Sequence, residues 1–193
     1  MRVRFVAWIL PAVLFIPLGV ALPAHAADDY AIDGMHAGVS FKISHLGLSW
    51  VQGRFGRFAG GFTLDPDDAN RCSFVMTINA DSVDTNNQKR DDHLRSPDFF
   101  NVKQFPTITF KSTSVKAIPD GYQVMGDLSL HGVTRPVTLG VMGGRKAEFP
   151  KGVQRTGFSA EVTLKRSEFG MDKLSPAVGD DVYIAVSFEG TKK

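Results

Sequence analysis

Hydrophobic and polar residues alternate with a period of two along most of the chain after residue 38. In the first clear run, Val39, Phe41 and Ile43 share one face, and the residues between them, such as Lys42, share the other. Because successive side chains of a β-strand point to opposite sides of the sheet, this alternation predicts strands with one apolar and one polar face. The pattern recurs in seven further stretches, at residues 51–64, 74–79, 107–111, 122–130, 137–141, 158–164 and 182–188.

The second of these stretches changes phase in its middle. Val51 and Phe55 occupy one phase, whereas Phe58 occupies the other. A phase slip at Gly56-Arg57 predicts a β-bulge, which bends a strand and helps a sheet to close.

Short turn-forming sequences separate most of the strands, which predicts antiparallel neighbours. These sequences are Asp65-Pro66-Asp67-Asp68, Pro119-Asp120-Gly121, Gly143-Gly144 and Pro150-Lys151-Gly152. Eight such strands form either a sandwich or a closed barrel. One apolar face on every strand gives a single interior, and this favours an all-β barrel of eight antiparallel strands.

One long connection, at residues 81–106, interrupts this arrangement after the strand that begins at residue 74. Asp84 or Thr85 is predicted to cap a short helix that continues to about Leu94. The connection then carries three phenylalanines, Phe99, Phe100 and Phe105. Since large apolar side chains need burial, the connection is predicted to pack across an open end of the barrel.

Glycines and large aromatic residues occur together on the inward faces of the strands. Gly53, Gly60 and Gly126 share the inward phase of their strands, and 13 of the 15 phenylalanines lie after residue 26. Aromatic rings beside glycines can interdigitate into a solid core or can line a cavity, and periodicity leaves both alternatives open.

The first 26 residues have the pattern of a secretory signal. Arg2 and Arg4 precede a stretch without charge at 5–22, and Ala24-His25-Ala26 places small residues at a cleavage site. We therefore expect cleavage after Ala26 and export of a domain at residues 27–193 to the periplasm. The uncharged stretch reaches the lower limit for a membrane anchor, but its prolines weaken that alternative. No later stretch is suited to span a bilayer, so we expect no stable membrane insertion after cleavage.

Charge and cysteine content exclude several classes of function. The formal charge of +2 is due to Arg2 and Arg4, so the remainder of the chain is neutral. A neutral chain offers no electrostatic basis for binding nucleic acid. The single cysteine, Cys72, cannot form an intramolecular disulfide, and its place in an apolar series predicts a buried thiol. The histidine spacing shows no local metal-binding motif, and no metal site is expected.

Eight ordered motifs in this chain resemble the YceI-like family, the polyisoprenoid-binding lipid carriers of bacterial envelopes. They are Tyr30-x-Ile32-Asp33-x-x-His36, Val39-x-Phe41-x-Ile43-x-His45-Leu46-Gly47, Val51-x-Gly53-x-Phe55-x-x-Phe58-x-Gly60, Ser82-Val83-Asp84-Thr85, Arg90-Asp91-x-His93-Leu94-x-Ser96-x-Asp98-Phe99-Phe100, Phe105-Pro106-x-Ile108-x-Phe110, Gly126-Asp127-Leu128-x-Leu130-x-Gly132-Val133-Thr134-x-Pro136-Val137 and Arg166-x-x-Phe169-Gly170-Met171. The resemblance covers about residues 30–189. Ala37 departs from the expected serine, which affects at most a local hydrogen bond.

The resemblance implies an extended lipocalin-like barrel with an elongated apolar cavity. It implies an isoprenoid lipid as ligand, such as a quinone or a polyprenyl lipid, with no other cofactor. The hypothetical cavity wall consists of inward-phase residues, namely Val39, Phe41, Ile43, Phe55, Phe58, Phe62, Phe74, Met76, Ile78 and Phe110. Each of these residues is alternatively a simple core residue.

Four polar residues are candidates for contacting a ligand head group or lining an entrance. They are His45, Arg90, Asp91 and His93. The structural alternative is a hydrogen-bonded histidine at the rim and a salt-bridged helix that fixes the long connection. Asp33 and His36 are interpreted as a hydrogen-bonded pair at a strand start and not as a catalytic dyad.

Three classes of function follow from these observations. The first is a periplasmic, non-enzymatic carrier or scavenger of isoprenoid lipid. The second is an enzyme that acts in the same cavity, although no nucleophile elbow or phosphate-binding glycine loop supports it. The third is a stress-related interaction protein with a packed barrel. The oligomeric state is left open.

Overall fold

The computed structural model describes residues 26–193, and ten strands make up most of this part of the chain. They are β1 (Asp28–His45), β2 (Ser49–Phe55), β3 (Phe58–Leu64), β4 (Ser73–Asn79), β5 (Val83–Asp84), β6 (Thr107–Ile118), β7 (Gly121–Leu130), β8 (Val133–Glu148), β9 (Gln154–Lys165) and β10 (Val178–Lys192). One α-helix, α1 (Gln88–Arg95), lies in the long connection. Short 3-10 helices occupy Ala69–Arg71, Ala80–Ser82 and Arg166–Phe169. The predicted signal segment lies, except for Ala26, outside the described residues.

The strands form a closed antiparallel barrel, which confirms the predicted fold class. Neighbouring strands follow one another in the chain, and β10 closes the barrel by pairing with β1. The first part of β1 pairs with β3 and its second part with β2, so β2 and β3 are two halves of one barrel strand. Together with β1, β4 and β6–β10 they make eight positions around the barrel. The short β5 pairs only with the end of β2.

The phase change at Gly56-Arg57 is a break between two strands and not the predicted bulge within one strand. Ala31 pairs with Gly61 and Val39 pairs with Phe55, so β1 spans more residues than its neighbour between these two pairs. The additional residues bulge out of β1, where the register with β10 also shifts between Ile32 and Ala37. The bend is therefore built on both strands.

The two ends of the barrel are closed differently. At the end where β1 begins, here called the aromatic end, six inward-facing rings pack together, those of Tyr30, Phe62, Phe74, Tyr122, Phe158 and Phe188. At the opposite end, here called the helix end, lie the turns at 46–48, 131–132 and 166–177. The connection at 80–106 with α1 also lies there.

Two local predictions are corrected by the structure. Gly143-Gly144 is not a turn but lies within β8, at a shift in the register with β9. Both glycines have positive φ angles, which a bulge requires and which glycine adopts at low cost. The helix cap is Asn87, whose side chain accepts a hydrogen bond from the Arg90 amide. Asp84 instead belongs to β5, since pairing with β2 outweighs its capping propensity.

None of the helices within residues 26–193 has the length and apolar character needed to cross a membrane.

Candidate functional site

An apolar cavity of about 190 Å³ lies inside the barrel, between the aromatic end and the helix end. Inward-facing side chains from all eight positions around the barrel form its wall because the period-two alternation points them to the axis. Wall residues include Val39, Phe74, Ile108, Leu128, Leu139, Val162 and Ile184. Among the described residues that line it, Arg166 is the one charged side chain. The cavity is therefore suited to a ligand that is almost entirely hydrocarbon.

Seven of the ten predicted wall residues line this cavity. They are Val39, Phe41, Phe55, Phe74, Met76, Ile78 and Phe110. Their contact with a ligand stays a prediction.

Three of the predicted wall residues lie elsewhere in the interior. Phe62 is buried in the aromatic end, and Phe58 packs in the cluster that contains Phe55 and Val83. Ile43 is half-buried close to the last layer of the helix end, where it pairs with Val182. Strand phase distinguishes the inner face from the outer face, but it does not give the height of a residue along the barrel axis.

The interior is partly solid and partly hollow, so both alternatives left open by the sequence occur. A Cβ atom on Gly53 would collide with the ring of Phe41, and one on Gly126 would lie 2.5 Å from the ring of Phe110. These rings thus fill the space that the glycines leave, and the cavity is what remains between them.

The rings of the aromatic end close the cavity on one side. Tyr30 and Phe62 stack with centroids 4.9 Å apart, and Phe158 meets Phe62 edge-on at 5.5 Å. Phe188 lies 5.9 Å from Phe158. Such offset and edge-to-face arrangements are the favoured ones for aromatic pairs, so this end is a close-packed seal.

The connection at 80–106 covers the barrel at the helix end, as its three phenylalanines predict. Phe100 lines the cavity and meets Phe55 edge-on, with ring centroids 5.6 Å apart. Phe99 is buried, and Phe105 packs its ring over Gly132. The connection therefore forms part of the cavity wall.

The three candidates on α1 hold this connection together and do not line the cavity. Asp91 is buried and accepts a hydrogen bond from the Thr85 amide at 2.9 Å, and Arg90 Nε donates to Thr85 Oγ1 at 2.7 Å. His93 Nε2 lies 3.0 Å from the carboxylate of Asp98. The hydrogen bond from His93 lowers the pKa of Asp98. A contact of these residues with a head group stays a prediction.

Two further histidines lie on β1. His45 is exposed at the end of the strand, beside Ser49 and Val178, and it does not line the cavity. In the bulge of the strand, His36 Nδ1 lies 2.9 Å from Asp33, which also accepts a hydrogen bond from Arg155 at 2.7 Å. The bonds from Arg155 and then His36 hold the pKa of Asp33 well below its usual range. The predicted hydrogen-bonded pair is present, but it lies at the bulge inside β1 and not at a strand start.

The predicted wall contains none of the lining residues of β7–β10, and it also omits Arg166, the charged residue of the cavity wall. Arg166 is buried, and its guanidinium donates hydrogen bonds to four backbone carbonyls, those of Gly179 at 2.8 Å, Lys173 at 2.9 Å, Val178 at 3.0 Å and Met171. No ion pair of the described residues includes Arg166, and burial lowers its pKa. The motif Arg166-x-x-Phe169-Gly170-Met171 was the available signal, but an arginine after a strand is normally exposed.

The cysteine and the acidic and histidine residues provide no further site in the described chain. Cys72 is buried, and burial raises the pKa of its thiol, as expected for a small hydrophobic residue. Between residues 26 and 193, His, Cys, Asp and Glu residues form no group of three that could hold a metal ion.

The family model and the related sequences that match this chain point to the same family. The family model of the YceI-like domain matches residues 30–190. A UPF0312 protein of Pseudomonas aeruginosa (strain LESB58) is 45% identical over 170 residues, which cover 86% of this chain and 88% of that protein. Protein YceI of Escherichia coli O17:K52:H18 is 43% identical over 182 residues, which cover 93% of this chain and 95% of that protein.

Solved structures give the same fold. BcnA of Burkholderia cenocepacia superimposes with a TM-score of 0.72 at 25% identity, covering 82% of this chain and 98% of BcnA. The YCEI protein of Campylobacter jejuni gives a TM-score of 0.70 at 31% identity, covering 78% of this chain and 90% of that chain. A polyisoprenoid-binding domain from Saccharophagus degradans gives 0.62 at 16% identity, covering 85% and 98%, and this likeness concerns the fold alone.

Proposed function

The chain belongs to the YceI-like family, and from this premise we propose that it is an exported, non-enzymatic carrier or scavenger of isoprenoid lipid. The observation that carries the proposal is the closed barrel with an almost wholly apolar cavity. The Saccharophagus degradans domain with the same fold is described as polyisoprenoid-binding, which supports this ligand class. The signal-like first 26 residues support export to the periplasm.

The energetics allow such a carrier. Burying about 500 Å² of an isoprenoid chain at roughly 25 cal/mol per Å² contributes about 12 kcal/mol. Association costs about 4–15 kcal/mol in lost translational and rotational freedom. The hydrocarbon chain alone thus supports useful affinity, and a polar head group adjusts it.

The size of the cavity limits the length of the ligand that can enter without movement of the wall side chains. Pockets for drug-sized ligands usually have about 300–1,000 Å³, and a cavity of about 150 Å³ holds a molecule such as benzene. A cavity of about 190 Å³ is therefore large enough for a short isoprenoid segment. A long chain requires side chains of the wall to move, and the flexible Met76 and Met171 are suited to this.

Arg166 supplies the cavity with one polar anchor. Backbone carbonyls use four of its five N–H groups, which leaves one for a ligand. That group can donate to a quinone carbonyl or, more strongly, to a phosphate oxygen, so both head groups are consistent with it. We propose that the head group lies toward the helix end, where Arg166 meets the wall, and that the apolar tail extends toward the aromatic end.

An enzyme that uses the same cavity is the second candidate, and the lining offers little for it. Apart from Arg166, the polar side chain among the described lining residues is Ser40. A hydroxyl group without an adjacent general base is a weak nucleophile. The structure therefore favours binding over catalysis.

Extraction of the native ligand tests the proposal. The protein is purified from its host and treated with organic solvent, and the extract is analysed by mass spectrometry. An isoprenoid in stoichiometric amount supports a carrier, whereas a mixture of substrate and product supports an enzyme. A protein that contains no lipid and takes up neither a short nor a long isoprenoid contradicts the proposal. The mass of the purified chain tests export, because cleavage after Ala26 leaves Ala27 as the first residue.

A further inference from the structure

The helix end of the barrel carries an exposed apolar patch beside the cavity. We call this set of residues the rim patch, and it consists of Lys42, Leu46, Leu48, Trp50, Leu174 and Tyr183. The turn at 46–48 and the turn at 174–178 are joined, because the Leu46 amide donates to the Ala177 carbonyl at 2.7 Å. The rim patch is therefore held on one connected backbone surface.

The leucines of the first turn are not required by the turn itself. Leu48 is 84% exposed and Leu46 is 56% exposed. Leu46 and Gly47 have φ angles of 54° and 66°. Turns of this kind favour Asn or Asp before Gly, and positive φ is rare for a bulky residue. Two exposed leucines in such a turn thus point to a surface that meets apolar material.

The aromatic side of the rim patch has the character of a membrane–water interface. Trp50 and Tyr183 meet edge-on with centroids 5.3 Å apart, and Lys42 Nζ lies 5.2 Å and 5.3 Å from the two ring centroids. No ion pair within residues 26–193 includes Lys42, so its positive charge faces outward without an acidic partner. Trp and Tyr favour the headgroup region, and an uncompensated lysine complements anionic phosphates.

The rim patch and the cavity share the same strands. Val182 and Ile184 line the cavity, whereas Tyr183 between them points outward into the rim patch. Arg166, which also lines the cavity, is bonded to the carbonyl of Val178 beside the second turn. The rim patch therefore lies on the outer surface of strands that form part of the cavity wall.

We propose that the rim patch docks the barrel on an anionic lipid bilayer, so that an isoprenoid passes between membrane and cavity without crossing water. This inference rests on the proposed carrier function. Inserting the two leucines of the turn buries apolar area, and Lys42 attaches to lipid phosphate through its charge.

Vesicle flotation tests the docking. Vesicles of phosphatidylethanolamine with phosphatidylglycerol are mixed with wild-type protein and with the double variant Leu46→Asn, Leu48→Ser. Both positions are exposed and asparagine suits the positive φ, so the variant should fold normally. We expect the affinity for vesicles to fall about a hundredfold, about tenfold for each leucine whose burial in the bilayer is lost.

Two further variants serve as controls. Phe149 is 74% exposed but lies in the turn between β8 and β9, at the opposite end of the barrel. Phe149→Ser removes one large exposed apolar side chain at that end and should leave vesicle binding unchanged. Lys42→Gln should reduce binding only when phosphatidylglycerol is present. Mass spectrometry first establishes the length of the purified chain, and only chains of equal length are compared.

Three results would contradict the docking proposal. It is wrong if the wild type does not bind the vesicles, or if Phe149→Ser weakens binding as much as the double variant. It is also wrong if the double variant changes the molar mass by light scattering, which would make the rim patch an interface between two copies. Bound isoprenoid, measured in the same samples, separates the two proposals. If the protein retains its isoprenoid but does not bind vesicles, the docking proposal is contradicted and the carrier proposal is not.

Discussion

The two ends of this barrel are closed with different chemistry. The aromatic end is sealed by six rings in direct contact, and Lys192 and Asp28 form an ion pair of 2.7 Å where β10 ends and β1 begins. The helix end is covered by a connection whose backbone is held by arginine side chains, such as Arg95, which donates to the carbonyls of Asp81 and Val83. The first closure is part of the core, whereas the second is a separate segment laid over it. From this comparison we expect stability to reside mainly at the aromatic end, and we propose that a ligand enters at the helix end.

The largest expected effect is a loss of stability from Phe62→Ala. Phe62 contacts four rings of the aromatic end, and truncation leaves a cavity among them. The free energy of unfolding should fall by about 3–5 kcal/mol, measured by denaturant unfolding. Phe149→Ala at the exposed turn of the same end is the control and should change it by less than about 0.5 kcal/mol. Equal effects of the two variants would show that the rings are not a seal.

Arg166→Met should give the next effect, on both stability and head-group preference. Each backbone carbonyl that stays buried without its donor costs about 1–3 kcal/mol in the free energy of unfolding, and removal of a buried cation offsets part of this loss. If Arg166 anchors the head group, the affinity for farnesyl phosphate should fall about tenfold relative to farnesol, a difference of about 1.4 kcal/mol. Arg166→Lys, which keeps the charge, should retain part of this preference. An unchanged ratio in Arg166→Met would place the head group elsewhere.

Phe100→Ala tests the helix end directly. The side chain belongs to the cover and is only half-buried, so its loss should cost less stability than Phe62→Ala, about 1–2 kcal/mol. The same change opens the cavity wall, and a preloaded isoprenoid should leave about tenfold faster. Release is followed by transfer to acceptor vesicles. An unchanged release rate in this variant would show that lipid does not leave the cavity past the connection at 80–106.

The smallest expected effect is on acid stability. The pKa values of Asp33 near the aromatic end and Asp98 at the helix end are both lowered in the folded protein, by Arg155 and by His93 respectively. Each carboxylate therefore stabilises the fold above its unfolded pKa of about 4, and this contribution is lost as the pH falls through the lower folded pKa. Asp33→Asn and Asp98→Asn should each lower Tm slightly at neutral pH, with the difference from wild type vanishing in strong acid. The larger shift is expected for Asp33→Asn, and the reverse order would contradict the assignment of stability to the aromatic end.

The fold and the inward faces of the strands were predictable because both depend on local pattern, although the predicted wall contained no residue of β7–β10. The alternation in Val39 and Phe41 gives the inner face of β1 wherever that strand lies. The cap of α1 was misplaced because Asp84 could serve a helix or a strand, and only its pairing with β2 decides. Gly143 and Gly144 of β8 were predicted to form a turn because turns and bulges both use positive φ angles.

The candidate site was less predictable than the fold. Phe62 and Phe74 share the inward phase and are register partners, yet only Phe74 lines the cavity, because four neighbouring rings enclose the ring of Phe62. The sequence did not predict Arg166 as a cavity residue, because its burial depends on four carbonyls supplied by residues 171–179. The rim patch likewise joins two turns that are distant in the chain.

The sequence by itself determined an all-β chain whose strands each bury one face, with a signal-like start and a neutral remainder. These properties follow from the residue types and their period, which act over a few neighbouring positions. Only the tertiary structure decided where the interior is filled and where it is hollow, which end is sealed, and that a cation lies at the cavity wall. Those features arise from contacts between strands far apart in sequence, where ring size, glycine placement and strand register act together.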